Sequence, residues 1–395
     1  MSRRDGKFEQ KPFKKICGDH HMHSLYRALK QYFYPFLLCS LLLGVTANTS
    51  FAQLGSAGEI LRGGKNDANL LMKEYLKPFG RGFGAGLNTG WFNKAKPHKT
   101  LGFDISVRTG VALVPGSDQS FNVKDLPLQE LQYDRGPTES PTISGADDPG
   151  SHMILQKQIN GQTETLADFD MPHGTGFAYV ASPMLQVGIG TIKETDLTLR
   201  YMPEMKVPKT DVNFSVTGIA IKHGINQWLP GGKFMPVNLT LMAGYTELNA
   251  NTSSNVDPQV DSDTENPYAG QPSTWDGQSV DLTSSSFTVN ALVGKSLPFI
   301  SVFGGIGYES SKMTVKTPGS YPITVPNQNY DPTDPNSKKK IIDKVDEPID
   351  LKIDGANSFR ALAGFSLKLT VITITGSYTL GNYSVANLGF GISFR

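Results

Sequence analysis

Cysteine is missing from most of this chain, because its two cysteines, Cys17 and Cys39, both lie in the first 52 residues. Disulfides therefore cannot stabilise residues 53–395. No apolar run in that part reaches the roughly 20 residues that a membrane-spanning helix needs. Any crossing of a membrane must then be made by strands closed into a barrel, since open sheet edges are too costly in lipid.

A strong excess of charge is also absent. The first 52 residues hold eight of the 37 Lys and Arg and three of the 36 Asp and Glu, which leaves 29 basic and 33 acidic residues in 53–395. A net charge of −4 in that part gives no reason to expect nucleic acid as a partner.

Signatures of catalysis and of metal binding are lacking as well. Residues 53–395 contain four histidines, and none has the spacing of metal ligands: His98, His152, His173 and His223. There is no Gly-x-Ser-x-Gly elbow and no glycine-rich phosphate loop. We therefore expect no enzyme, no cofactor and no metal, while a serine and a histidine brought together only by the fold remain an open alternative.

The beginning of the chain has the order of a secretory signal. Tyr32–Ala47 is a 16-residue, mostly apolar run, preceded by Lys and Arg and followed by Ser50-Phe51-Ala52. We predict a signal peptide over residues 1–52, with Met22 as an alternative start. A membrane anchor is the competing interpretation, but the run is short for a spanning helix and contains Pro35.

The last eleven residues, Val385–Arg395, alternate with the period of a β-strand. One face is apolar and the other is small or polar: Leu388, Phe390, Ile392 and Phe394 against Asn387, Gly389, Gly391 and Ser393. An apolar outer face and a polar inner face are typical of strands in membrane barrels.

One helix precedes the strands. Asp67 is a candidate N-cap, the stretch 57–79 carries an apolar stripe, and Pro78 with Gly80 predicts its end. We assign residues 53–80 to an N-terminal helix that is a candidate plug, and residues 81–395 to a barrel.

Alternating runs predict eleven strands. They lie at about 82–92, 101–114, 176–190, 195–203, 213–224, 236–249, 284–295, 299–313, 357–368, 370–380 and 384–394. Because single-chain bacterial barrels have an even number of strands, one is missing or one is false. We predict an all-β fold, an antiparallel transmembrane barrel of 12 to 14 strands, with hidden strands near 118–126, 151–159 or 341–353.

Loop lengths predict the orientation of this barrel. The segments 115–175, 250–283 and 314–356 are long and polar, whereas connections at the opposite ends, such as 368–370, are short. Short periplasmic turns and long outer loops are typical of outer-membrane barrels. We therefore predict the cell outer membrane as the location, with membrane lipid and lipopolysaccharide as its surroundings.

Charged residues occur inside the predicted strands. On the lipid face a mid-plane Arg or Lys costs roughly 2 to 4 kcal/mol, so these residues should face the lumen or lie near an interface. The candidates are Arg108, Arg200, Lys222, Glu309 and Arg360, with Lys368 as a further one. We predict a network of mixed charge across the lumen.

Two charged clusters lie in the predicted outer loops. Asp261-x-Asp263-x-Glu265 offers oxygen ligands at alternate positions, which favours either a hard cation or a solvated acidic loop. Lys338–Lys340 could meet lipopolysaccharide phosphates or simply be solvated.

Several motifs resemble known families. Asn387, Gly389, Ile392 and Phe394 are similar to the C-terminal signal that the barrel assembly machinery recognises, which implies that machinery as a partner. More widely, the chain resembles a family of Gram-negative outer-membrane proteins of unknown function. The motifs are Gly90-Trp91-Phe92, Pro183–Gly190, Gln227-Trp228-Leu229-Pro230 and Phe303–Glu309. A distant likeness to fatty-acid-transporter barrels implies an N-terminal plug.

The expected function is a passive channel or transporter for small solutes, apolar ones included. The alternative is a structural or interaction barrel that presents its long loops to a secretion partner or an extracellular ligand. The sequence favours no particular solute and no oligomeric state.

Overall fold

The computed structural model describes residues 60–61, 63–206 and 211–394, so the predicted signal peptide and Met22 lie outside the described residues. Ten antiparallel strands form the wall of a barrel. They are β1 Phe103–Leu113, β2 Tyr179–Gly190, β3 Thr195–Lys206, β4 Val212–Gly224, β5 Asn238–Ser253, β6 Ser279–Ser296, β7 Ile300–Lys316, β8 Phe359–Leu369, β9 Ile372–Leu380 and β10 Val385–Phe394. Each strand pairs with the next, and β10 pairs with β1, so the wall closes without a free edge.

The number of strands differs from the prediction. The antiparallel barrel with one N-terminal helix is confirmed, but the wall has ten strands and not 12 to 14. The expected first strand at 82–92 is wrong, because residues 82–87 continue the helix and residues 88–92 contain no strand. Removing that false strand gives the even number that bacterial barrels require.

The places where hidden strands were expected do contain strands, but these belong to the loops. The short strands are Ser120–Asn122, Leu131–Arg135, Glu139–Pro141, His152–Ile159, Gln162–Asp170, Thr264–Glu265, Ser320–Pro326, Lys340–Asp346 and Asp350–Asp354. The 3-10 helices are Gly116–Asp118, Val123–Asp125, Asn226–Trp228, Gly232–Phe234 and Pro272–Trp275. Of these short strands Asp350–Asp354 alone joins the wall, where it pairs with β7 beyond the start of β8.

The wall presents its apolar side chains outward. In β10, burial alternates residue by residue, with Asn387 and Gly389 inside and Leu388, 51% exposed, outside. This confirms the facing predicted from the period-two pattern of the last strand. The other strands repeat the arrangement, and the outside of the barrel is a continuous belt of Leu, Ile, Val, Phe and Tyr.

Connection lengths differ between the two ends of the barrel. At one end the chain takes long excursions over 114–178, 254–278 and 317–358. At the other end it turns over 191–194, 297–299 and 370–371, and the connection 225–237 is of intermediate length. We call these the loop end and the turn end.

Helix α1, Lys65–Leu87, runs from the loop end into the barrel. Near its start, the Asp67 carboxylate accepts hydrogen bonds from the backbone N–H groups of residues 129, 130 and 131 in a long loop. Its apolar stripe, including Leu71 and Tyr75, is buried among apolar side chains of the loops and of the wall near the loop end. Among the described residues, no helix is long and apolar enough to span a membrane.

Candidate functional site

The interior of the barrel is filled by the second half of α1. A Cβ placed on Gly84 would lie 2.2 Å from Oγ of Ser311 on β7, and one on Gly86 would lie 2.3 Å from Oγ of Ser182 on β2. These strands lie on different sides of the wall, so the helix touches it in more than one direction. A ten-stranded barrel is narrow, and glycine is what allows a helix backbone to fit inside it.

After the helix, residues 88–99 continue through the barrel to the turn end, and we call them the lumen segment. Seven consecutive or nearly consecutive carbonyls of the helix end and this segment accept hydrogen bonds from side chains of the wall. The carbonyls belong to residues 87, 88, 89, 91, 92, 94 and 95. The wall therefore holds the lumen segment mainly by its backbone.

Arg200 is the centre of this attachment. It is fully buried, and its guanidinium donates to the carbonyl of Leu87 at 2.6 Å and to the carbonyl of Thr89 at 2.5 Å. It also donates to Thr246 of β5 and lies 3.4 Å above the ring of Trp91. The last carbonyls of a helix have no hydrogen-bond partner within the helix and carry partial negative charge. A guanidinium at this place both donates hydrogen bonds to them and balances that charge.

Arg360 and Glu309 make a buried ion pair inside the wall. Arg360 also donates to the carbonyl of Asn88 at 3.0 Å and to the side chains of Thr288 and Asn290 on β6. One arginine thus links β6, β7 and β8 to the helix end. Since its carboxylate partner is adjacent, this cation is neutralised within the wall.

Arg108 and Lys222 bind the part of the lumen segment that lies nearer the turn end. Arg108 donates to the carbonyl of Phe92 at 2.8 Å, and Lys222 donates to the carbonyl of Lys94 at 3.2 Å. Lys222 also pairs with Asp196 at 3.0 Å. All five charges singled out by sequence, from Arg108 to Arg360, are buried in the interior, whereas Lys368 is only partly buried.

At the turn end, a serine, a histidine and an aspartate come together. His98 Nδ1 lies 3.0 Å from Asp196, and its Nε2 lies 3.5 Å from Oγ of Ser393. This order occurs in hydrolases, but all three residues are buried and Asp196 is shared with Lys222 and the His98 backbone N–H. In this conformation the group fastens the end of the lumen segment.

The charged clusters of the outer loops pair with one another. Asp261 bonds Lys340, Asp263 lies 3.8 Å from Lys339, and Lys339 also bonds Glu164 at 2.6 Å. The hydrogen bond from Lys340 lowers the pKa of Asp261 to about 2. The structure thus places the acidic run Asp261–Glu265 and the basic run Lys338–Lys340 against each other.

The proposed assembly signal lies on the closing strand β10. Asn387 and Gly389 face the interior, where Asn387 contacts Thr89 of the lumen segment and Gly389 lies beside Arg108. Phe394 faces outward, 5.9 Å from Phe103 of β1. Ile392 pairs with Ile105 of β1, so all four positions take part in closing or filling the finished barrel.

The profile of a family described as a family of unknown function, DUF6588, matches residues 29–394. The chain belongs to this DUF6588 family. None of the curated proteins compared with this DUF6588 member matches it.

Three solved structures show a weak likeness to this DUF6588 protein. The translocator domain of autotransporter NalP from Neisseria meningitidis is 10% identical with a TM-score of 0.23, over 75% of this chain and 90% of that chain. The ferric-catecholate import receptor Fiu from E. coli K12 is 11% identical with a TM-score of 0.25, over 72% of this chain and 55% of that receptor. The transport unit of autotransporter AIDA-I from Escherichia coli is 8% identical with a TM-score of 0.25, over 83% of this chain and 97% of that chain. Likeness this weak carries no argument about function.

Sequence reasoning about this DUF6588 member missed the lumen segment. It placed Trp91 and Phe92 in the wall, because the alternating pattern of glycines and aromatics that begins after Arg81 predicts a strand. Backbone carbonyls have no sequence signature, so the partners of the buried cations could not be read from residue types. One signal is available in the sequence. The predicted strands carry more inward cations than inward carboxylates, which indicates that some of the cations need another kind of partner.

Proposed function

We propose that this protein spans the outer membrane of a Gram-negative cell and is the closed form of a passage for small solutes. The membrane location is supported by the outer belt of the wall, whose exposed Leu, Ile, Val and Phe side chains would form a very large apolar patch in water. The loop end then faces outward, as in barrels with short periplasmic turns.

The observation that carries the transport proposal is that the wall is complete without its contents. The hydrogen-bond ladder closes through β10 and β1, and neither α1 nor the lumen segment contributes a strand to it. The contents are held by side chains such as Arg200 and Arg360. If they move, the exposed lining is cationic and hydroxyl-rich, which water can solvate.

The proposal that apolar solutes can pass is supported by a crevice at the loop end. It lies between Leu76 and Phe79 of α1 and the wall residues Val212, Leu282 and Val315. Its free space is about 20 Å³, room for about one water molecule. A solute can enter only if the helix moves, so helix movement is the step to test.

A reversible lock tests this step. A Cβ on Gly80 would lie 3.2 Å from Cβ of Ile353, close to the 3.5 to 4.5 Å of a disulfide. The double variant Gly80→Cys/Ile353→Cys, made in residues 53–395, carries no other cysteine. We expect liposome swelling with small sugars to be lost when the pair is oxidised and restored by a reductant.

Each single variant is the matched control, because it carries a thiol but cannot be locked. Flux that is equal in the oxidised and reduced double variant would show that the helix need not move. An absence of flux in every sample, including a variant that lacks residues 53–99 and so both α1 and the lumen segment, would overturn the transport proposal.

A structural or interaction barrel is the second candidate, and the folded loops favour it. The loops form three small sheets, and Leu131, Met153, Phe169 and Tyr321 from them are buried in one cluster with α1. Long loops with a shared apolar core present a fixed surface. Absence of flux together with capture of a defined surface ligand by the loop end would support this role.

A further inference from the structure

One of the loop sheets gathers a histidine and three carboxylates. It consists of Leu131–Arg135, His152–Ile159 and Gln162–Asp170, with His152 in the central strand. In register, His152 lies opposite Arg135 on one side and Asp170 on the other. The sheet belongs to the loop end and is separate from the interior of the barrel.

His152 is buried although its partners are not. It is 5% exposed, and its Nδ1 lies 2.7 Å from Asp170. Its Nε2 lies 3.2 Å from Asp168 and 3.7 Å from Asp134, yet this buried nitrogen has no hydrogen-bond partner. A buried polar atom without a partner costs free energy and calls for an explanation.

A break in the sheet brings the third carboxylate to this place. The register between Leu131–Arg135 and the central strand shifts between Tyr133 and Arg135, which leaves Asp134 as the extra residue. A bulge of this kind redirects a side chain. Here it turns the Asp134 carboxylate towards the imidazole, on the side where Asp168 already lies.

The charges around His152 do not balance. Three carboxylates surround one imidazole, and among the described residues the cation paired with them is Arg135, which bonds Asp134 and whose side chain is 69% exposed. Neighbouring carboxylates repel one another unless a cation lies between them. Two of the three, Asp134 and Asp168, lie beside Nε2.

We propose that this group binds a divalent transition metal, with zinc as the representative ion. Nε2 of His152 and carboxylate oxygens of Asp168 and Asp134 are the ligands, and water completes the coordination. Asp170 accepts from Nδ1–H, and a carboxylate in this place orients a ligating histidine. A nitrogen ligand disfavours calcium, which takes oxygen ligands.

The ligands must adjust when the metal binds. Within the described part of the chain, no three such side chains already surround a common metal position. Asp168 has the freedom to adjust, since 58% of its side chain is exposed. The distance of 3.2 Å between Nε2 and the Asp168 oxygen is already near that of two ligands about 2 Å from one zinc ion.

The test is zinc titration of residues 53–395, which lack His20, His21 and His23 of the predicted signal peptide, folded in detergent without a polyhistidine tag and stripped with a chelator. We expect one zinc per chain by calorimetry, loss of binding in His152→Ala, and about 10- to 100-fold weaker binding in Asp170→Asn. His173→Ala is the matched control, because His173 also lies near one aspartate, Asp147, at 3.4 Å. It should bind zinc as the unchanged protein does.

Asp168→Asn guards against misfolding, because this exposed side chain can change without disturbing the core. It should weaken zinc binding while the barrel keeps its heat-modifiable migration in gels. The proposal is overturned if the unchanged protein binds no zinc, if His152→Ala binds it equally well, or if calcium binds with higher affinity than zinc.

Discussion

Replacing Arg200 by methionine removes the centre of the attachment between the wall and its contents while keeping a side chain of similar length. The guanidinium donates to the carbonyls of Leu87 and Thr89, and Trp91 stacks on it. All of these groups lie where water has no access. Arg200→Met therefore leaves two buried carbonyls without a donor.

The size of the effect follows from these contacts. Each buried carbonyl without a partner costs about 1 to 3 kcal/mol, so the two together cost about 2 to 6 kcal/mol. Removing a buried charge recovers part of that cost. We expect a net loss of about 3 kcal/mol in the free energy that holds the lumen segment, or about a hundredfold in its opening equilibrium.

Amide hydrogen exchange measured by mass spectrometry reports this equilibrium directly, since local opening sets the exchange rate. Peptides that cover residues 87–95 should exchange about a hundredfold faster in Arg200→Met, while peptides from β6 and β7, which Arg200 does not contact, should not change. Arg135→Met makes the same substitution at an exposed arginine and should have no effect on residues 87–95. Equal exchange in the two variants would refute the attachment described for Arg200.

Three further predictions follow from the geometry. In whole cells, a membrane-impermeant maleimide should label Asn66→Cys at the loop end but not Ile192→Cys at the turn end, and the reverse pattern would contradict the orientation. Gly84→Ala should lower barrel stability by about 1 to 3 kcal/mol through overpacking against Ser311, and Ser311→Gly should restore it in a thermal unfolding experiment. Because its lysine partner lowers the pKa of Asp261 from 3.8 to about 2, that contact stabilises the loop sheet above about pH 4 and is lost as pH falls towards 2. The protection factors of the amides in 340–346, which correct for the pH dependence of exchange in an unfolded chain, should therefore fall over this range in the unchanged protein and stay constant in Asp261→Asn.

Much of the wall could be predicted from the sequence because its physical cause is local. A strand between lipid and a polar interior must alternate, and Asn387 and Leu388 obey that rule without reference to the rest of the chain. The inward facing of Arg108, Arg200 and Arg360 follows from the same rule, since a charge facing lipid is costly. What the sequence could not supply were their partners, which are backbone carbonyls brought near by the fold.

The histidine cluster was beyond sequence reasoning for a related reason. His152 and Asp170 are 18 residues apart, and Asp134 reaches them through a break in strand register. Metal-ligand spacing can be recognised when one helix or one tight loop supplies the ligands. It cannot be recognised when three separate strands each supply one or two ligands, because the spacing along the chain then depends on the loops between the strands.

The two errors in the fold, the helix end and the strand number, have one physical origin. Residues 80–86 alternate glycine with other residues, and glycine disfavours an isolated helix by about 1 kcal/mol per residue relative to alanine. The sequence therefore predicted a helix end at Gly80 and a strand after it. The helix nevertheless continues to Leu87, because the narrow wall leaves space for a backbone without side chains, and Arg200 and Arg360 satisfy its last carbonyls. The small number of strands and the glycines of the helix are thus linked: a wider barrel would not need them, and a helix with larger side chains at Gly84 and Gly86 would not fit this one.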